Sequence, residues 1–313
     1  MAEHRCRSRS QPGAGRSQGA EVAGPVIHTY RAAEPGLFVN SYLVEGESGV
    51  VVVDTSLLAS DIEALRARVR ALNKPLRAIV VTHAHPDHFN GVAGLVRDGE
   101  VPVYAAASVA RMITEIAEAK RAQWGPVYGQ EWPTETYYPN MLLADRDQVR
   151  FDDLAFTVHE LGPAESHADS YLVLTAGGFG SVAFTGDLAF HGTHPYTADG
   201  HLGDWLAALD VLAGELAEVR RLYPGHGDPA GPGLLAEQRR YLLYYREVIA
   251  RLADGQSQLS DAARTELDLA MQAFLPGAPL AWMIGLGADA VAAELAGTDA
   301  GASAAASRAR PGS

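Results

Sequence analysis

The run Thr82-His83-Ala84-His85-Pro86-Asp87-His88, directly after the apolar stretch Ala78-Ile79-Val80-Val81, constrains this chain more than any other feature. Three imidazoles and a carboxylate crowd into six residues, and these are the donors that zinc and similar divalent ions prefer. His83 and His85 stand two apart, so in an extended segment both point to one side. Pro86 bends the path, and Asp87 and His88 then face a second point nearby. One loop that feeds two metal positions is the natural reading.

A solvated, His-rich surface loop is the plain alternative. It fails because more donors arrive later, at the ends of further strand-like runs. His167 stands just ahead of Tyr171-Leu172-Val173-Leu174, the run from Val182 ends on Thr185-Gly186-Asp187, and Leu222-Tyr223-Pro224 ends on Gly225-His226-Gly227. Buried strands seldom terminate on charge without a partner for it.

Taken together, the His-x-His-x-Asp-His run, His167, Thr-Gly-Asp at 185–187 and Pro-Gly-His-Gly at 224–227 resemble, in chain order, the metallo-β-lactamase-fold hydrolase superfamily, over about residues 26 to 230. The resemblance implies an α/β fold, an αββα sandwich with the metal site along one edge. It implies one metal held by His83, His85 and His167, a second by Asp87, His88 and His226, and Asp187 bridging the two. The run 165–170, Glu-Ser-His-Ala-Asp-Ser, departs from the Gly-His-Thr-Pro-Gly-Ser form of the glyoxalase II and lactonase branch that the chain otherwise looks like. His167 and Ser170 survive that departure. Asp54, at the end of a Val run, matches a position whose carboxylate supports the metal loop, and Asp169 and Ser170 stand ready for similar work.

The ligand count implies a shared hydroxide between two Zn2+ ions, with iron or manganese as the other ions such donors take. The implied activity is hydrolysis of an ester, thioester or lactone of a small molecule. Asp87 is the group to orient or deprotonate the attacking water. No Gly-x-Ser-x-Gly elbow offers a protein nucleophile. The other readings are an Fe(II)-dependent dioxygenase of persulfides, a β-lactam hydrolase, and a non-enzymatic binding module; the last should have lost ligands, and the chain carries all seven. Cys6, the chain's single cysteine, excludes a disulfide framework and the metal-binding cysteine of one β-lactamase branch.

A net charge of −13 argues against nucleic acid as partner, because a phosphate backbone needs a basic footprint. Residues 1–22 read as a disordered leader without the apolar core of a signal peptide, and 297–313, rich in Ala, Gly and Ser, as a disordered tail. No stretch of 18 or more apolar residues is present to span a bilayer, so a cytoplasmic, membrane-free enzyme is expected.

Between the tails, 23–232 reads as the metallo-β-lactamase-fold domain and 233–296 as a C-terminal helical extension. Gly49–Asp54 is a strand covered on both faces, and Ser60 and Glu63 make a capping box for the helix that follows. A helix is expected from Ser108 to Ala122, and another capped by Asp204. Gln123–Asn140, with Trp124, Tyr128 and Trp132, reads as a loop that walls the pocket. His194 and Tyr196 follow Asp187 closely enough to touch a substrate carbonyl or leaving group. The aromatic helix Leu234–Ala253 fits an overhang above the site and a homodimer interface equally well.

Overall fold

A computed structural model describes residues 24–97 and 100–297. The expected leader at 1–22, with Cys6, and the expected tail beyond its first residue lie outside the described residues.

The first sheet joins β1 (Val26–Arg31), β2 (Asn40–Glu45), β3 (Val50–Val53), β4 (Leu76–Val81), β5 (Val103–Ala106) and β6 (Met141–Leu143) in chain order. Its β3, β4, β5 and β6 run parallel. Such strands need helical crossovers, supplied here by α1 (Ala59–Ala71), then α2 (Pro86–Phe89) with α3 (Val92–Val96), then α4 (Ala107–Tyr128). The second sheet, in order β11-β10-β9-β8-β7, holds β7 (Gln148–Phe151), β8 (Leu154–Gly162), β9 (Asp169–Ala176), β10 (Gly180–Phe190) and β11 (Leu222–His226). Between β10 and β11 lies α5 (Leu202–Glu215); α6 (Leu234–Ala253), α7 (Asp261–Phe274) and a helix at 288–297 follow.

Side-chain alternation decides what each sheet face meets. On β9, Leu172 and Leu174 join the core shared with Val51, Val53, Leu65 of α1 and Ile113 of α4, while Tyr171 and Val173 join the core of α5, α6 and α7. The four valines of β3 are all buried, as a strand between a facing sheet and a helical layer must be. The result is the expected αββα sandwich. The C-terminal extension is not a loose appendage: Leu242 and Tyr245 of α6, Leu267 of α7 and Val291 share one buried cluster with Leu188 and Phe190 of β10.

Three local expectations change. The capping box does not form: α1 begins at Ala59, and the amide and hydroxyl of Ser60 both donate to Glu131, at 3.0 and 2.7 Å. Asp204 sits inside the first turn of α5, whose leading amides at Leu202 and Gly203 donate instead to the Glu294 carboxylate at 3.1 and 2.8 Å. In both cases a carboxylate distant in sequence satisfies donors that a local side chain was expected to take. Finally, α4 runs on to Tyr128, so Trp124 and Tyr128 are helical, four residues apart on one face.

Candidate metal centre

The donors converge where the strand ends meet. Asp54 follows β3 with φ at 56°, a left-handed turn that aims its carboxylate at the loop after β4. There it accepts from the Thr82 amide (2.8 Å), the Thr82 hydroxyl (2.7 Å) and Nδ1 of His88 (2.9 Å). The expected support role of Asp54 is therefore visible as three hydrogen bonds that shape the loop. Asp54, His83 and His88 are close enough to form a metal group of their own. The three donors already on Asp54 make it a support for the loop instead.

Asp187 reaches the same place from β10. The β10–β11 ladder shifts register on both sides of Gly186, so the strand is bulged where Asp187 leaves it. Gly186 has φ at 49°, and a Cβ there would collide with the Thr82 hydroxyl. Gly225 is constrained by space alone: a Cβ would run into the Asp187 carboxylate and the His88 ring. The glycines of Thr-Gly-Asp and Pro-Gly-His thus allow two strand ends to close on one another.

Each of four histidines has one ring nitrogen tied away from the centre. Nδ1 of His83 donates to the Thr82 hydroxyl (3.1 Å), whose own proton goes to Asp54. Nε2 of His85 meets Asp199 (3.0 Å), Nδ1 of His88 meets Asp54 and Nδ1 of His226 meets the Leu37 carbonyl (2.9 Å). The His226 ring also stacks on Phe190, 5.0 Å between centroids. Such partners fix tautomer and orientation, leaving the other nitrogen with a free lone pair.

Those free nitrogens face carboxylates. Nε2 of His83 lies 3.7 Å from Glu165, and Nδ1 of His85 lies 3.1 Å from it. Nε2 of His88 is 3.3 Å from Asp187 and 3.6 Å from Asp87, and Nε2 of His226 is 3.3 Å from each of them. Donor atoms around a tetrahedral ion with bonds of about 2.0–2.1 Å stand about 3.3 Å apart, so this spacing fits a cation. Nε2 of His83 and His88, both oxygens of Glu165 and Oδ1 of Asp187 are buried without a hydrogen-bond partner. Buried polar atoms are rarely left so, and here their orphaned sides converge. Burial pushes the Glu165 carboxyl up to about 8, against the pull of His85. Asp187 lies well below the carboxylate range despite its burial, held there by His226 and His88.

Two groups result: His83, His85, Glu165 and Asp187; and Asp87, His88 and His226. His167 is in neither. Its half-exposed ring bonds to His201, Nδ1 to Nε2 at 2.7 Å, and Glu165 occupies the place expected for it. The cause is the turn between β8 and β9. The Asp169 carboxylate accepts from the amides of Ser166 (2.7 Å) and Ala164 (3.2 Å), closing a tight loop that turns Glu165 inward and His167 outward. Ser170 anchors the loop, its hydroxyl donating to the Thr82 carbonyl at 2.6 Å. A signal for this was present: His and Ser are four apart in the Gly-His-Thr-Pro-Gly-Ser form, but His167 and Ser170 are three apart, whereas Glu165 and Asp169 keep the four-residue interval.

Tyr196 and His194 part company as well. Tyr196 lies edge-on to His85, 5.1 Å between centroids, donates to Asp199 at 3.2 Å and lines the pocket above the cluster. His194 does not line that pocket; it is buried with Nδ1 on the Tyr241 hydroxyl at 2.8 Å, and burial lowers its pKa. Its position is set by its backbone amide, which donates to the Pro279 carbonyl, so the segment folds under the C-terminal helices.

The pocket, counted with the open space at its mouth, takes in about 570 Å³. Asp87, Asp187 and His226 form its floor, and its walls are aromatic and aliphatic, among them Trp124, Tyr128, Trp132 and Phe190. Trp282 and Met283 close it from the C-terminal extension, which the sequence did not single out. No helix among the described residues is long and apolar enough to cross a membrane.

The support carboxylate gives a direct test. Asp54→Asn keeps a residue suited to φ > 0 but offers one acceptor oxygen to three donors. It should cost about 3 kcal/mol, the scale of hydrogen bonds to a buried charge, and weaken metal retention by about 10–100-fold. Thermal melting with elemental analysis checks both.

Among known proteins, the family described as the metallo-beta-lactamase superfamily matches residues 35–226. A linear primary-alkylsulfatase of a Pseudomonas strain is 39% identical over 69 residues, 20% of this chain and 13% of that protein. An exodeoxyribonuclease, WalJ of Streptococcus pneumoniae, is 33% identical over 76 residues, 24% of this chain and 28% of that one. These matches therefore span less than a third of either relative's length. A solved metallo-beta-lactamase family protein from Thermus thermophilus superposes with a TM-score of 0.62 at 20% identity, covering 88% of this chain and 94% of its own. A metallo-beta-lactamase from Pontibacter korlensis gives 0.54 at 22%, covering 69% and 94%. Both share the fold. With the family match running from residue 35, between β1 and β2, to His226, the chain belongs to the metallo-beta-lactamase superfamily of hydrolytic enzymes.

Proposed function

We propose that this chain is a dinuclear metal hydrolase that cleaves an ester, thioester or lactone of a small molecule with an apolar body. The observation that carries the reading is a set of buried, convergent, orphaned donors opening into a pocket with aromatic walls. In this reading His83, His85 and Glu165 would hold one cation and Asp87, His88 and His226 the other, with the Asp187 carboxylate available between the two sets of donors. When bound, two divalent ions, zinc first among the candidates, supply a hydroxide near neutral pH and polarise the ester oxygen.

The chain's own residues do the rest. Thr82, Asp54, Asp199 and the Leu37 carbonyl keep the four imidazoles turned inward. Asp87 accepts a proton from the attacking water, a role supported by its place on the pocket floor. Tyr196 meets the carbonyl or the leaving oxygen, a role supported by its contact with His85 and its opening to the pocket. Trp124, Trp132 and Phe190 bury the apolar body and exclude water.

A second reading, hydrolysis of a sulfuric ester, is favoured by three partial relatives named as alkyl- or alkyl/aryl-sulfatases. One experiment separates the readings. The purified protein is analysed for metals and assayed against p-nitrophenyl octanoate, an acyl thioester, a lactone, octyl sulfate and nitrocefin, before and after chelation. About two divalent ions per chain with ester turnover lost on chelation is the expected result, and octyl sulfate as the preferred substrate moves the reading to a sulfatase. One iron per chain with no hydrolysis overturns both. Chelation should also lower the melting temperature, because converged donors bind the ions more tightly in the folded protein than in the unfolded chain.

A further inference from the structure

We infer that Lys120 is the anion-recognition residue of this pocket, selecting ligands that pair a negative group near the metal floor with an apolar body. This rests on the ester-hydrolase reading and says which esters the pocket favours.

Lys120, Trp124 and Tyr128 succeed one another at four-residue intervals on α4, so a single helix face lines the pocket. Lys120 is the only Lys or Arg among the described residues that line it. Its side chain is 15% exposed, and its ammonium makes no hydrogen bond among the described residues. The nearest carboxylate oxygen, Oδ1 of Asp199, is 3.7 Å away, beyond hydrogen-bond reach, and the Tyr196 ring centroid is at 5.5 Å. Asp199 is already shared, accepting from Tyr196 and pairing its other oxygen with His85.

An ammonium carries three donors and no acceptor, and a charge this far from water is normally hydrogen-bonded. Here a carboxylate and an aromatic face hold it in place electrostatically while its N–H groups stay available to the pocket. Among the lining residues Lys120 is the one fixed cation of the walls; Leu37, Leu57 and Met283 are apolar, and the indoles and phenols there offer only neutral donors. The contact with Tyr196, which itself touches His85, puts the charge on the His85 side of the floor. A ligand anion there takes the free donors, and its hydrocarbon part lies along the aromatic wall.

The test reads binding first. Three of the chain's four tryptophans, Trp124, Trp132 and Trp282, line the pocket, so their fluorescence reports occupancy. Octanoate, octane-1-sulfonate and 1-octanol are titrated into the metal-loaded protein, Lys120→Gln and Lys120→Arg. We expect Lys120→Gln to raise the dissociation constant of at least one of the two anions by about tenfold or more, the effect of one charge-assisted hydrogen bond. Octanol affinity should move far less, and Lys120→Arg should restore anion binding. Preference for octanoate or for octane-1-sulfonate tells a carboxylate from a sulfate source. The ratio of kcat/KM for octyl sulfate to that for p-nitrophenyl octanoate should fall in parallel if the sulfonate is preferred. Equal losses for anions and octanol, the mark of a merely structural counter-ion to Asp199, or no change in anion binding, overturns the inference. Loss of the ester reading would show separately, as a protein that discriminates the anions but hydrolyses no ester.

Discussion

Asp187→Ala should abolish hydrolysis and leave the protein with about one metal ion per chain or fewer. The loss in kcat/KM should exceed about 100-fold, the upper end of the loss seen when only a group behind a metal ligand is changed. Asp187 lies 3.9 Å from His83 in its own donor group and faces Nε2 of both His88 and His226 of the other at 3.3 Å, so its carboxylate stands between the two. The backbone should survive the change: the bulge at Gly186 is set by φ and by the Thr82 hydroxyl, and neither depends on the Asp187 side chain. Circular dichroism matching the parent would show that folding is intact. Near-parental turnover in that folded variant would remove the dinuclear reading.

The sandwich was legible because its strands carry their environment in their period. The Val run at 50–53 lies between two layers and is apolar throughout, and the alternation on β9 sends Leu172 and Tyr171 into different cores. The metal loop was legible because its donors are contiguous, and Asp187 and His226 because each ends an apolar run beside a glycine. What the sequence hid depends on pairs far apart in the chain. Glu131 on Ser60, Glu294 on the amides of α5, and Asp199 on His85 join residues 71, 91 or 92, and 114 positions apart, and no local pattern announces them. Lys120 was invisible for a related reason. Its position is ordinary on an amphipathic helix until α4 is seen to run on to Tyr128, which brings it into line with two aromatics that had been read as part of a loop.

The sharpest case is the turn at 163–168, where one residue of register decides which side chain meets the metals. Glu165→Ala should lose the metal held with His83 and His85 and reduce turnover by more than about 100-fold. His167→Ala, at a half-exposed ring hydrogen-bonded to His201, should keep its metal content and change stability by no more than about 0.5 kcal/mol. The opposite pattern, metal lost with His167 and kept with Glu165 replaced, would restore the ligand set implied by resemblance. The charge itself gives a second readout. Burial raises the Glu165 carboxyl from 4.5 to about 8, so in chelated protein the folded state holds a proton that the unfolded chain releases. The stability of the parent relative to Glu165→Gln should therefore be greatest below pH 4.5 and fall as the pH rises through about 8. Loading the metal should reverse the order at pH 8, because the cation needs the ionised carboxylate that burial alone disfavours. Melting curves of the two proteins, with and without metal, at pH 5 and pH 8 would show that crossing; parallel curves would mean that Glu165 holds no cation.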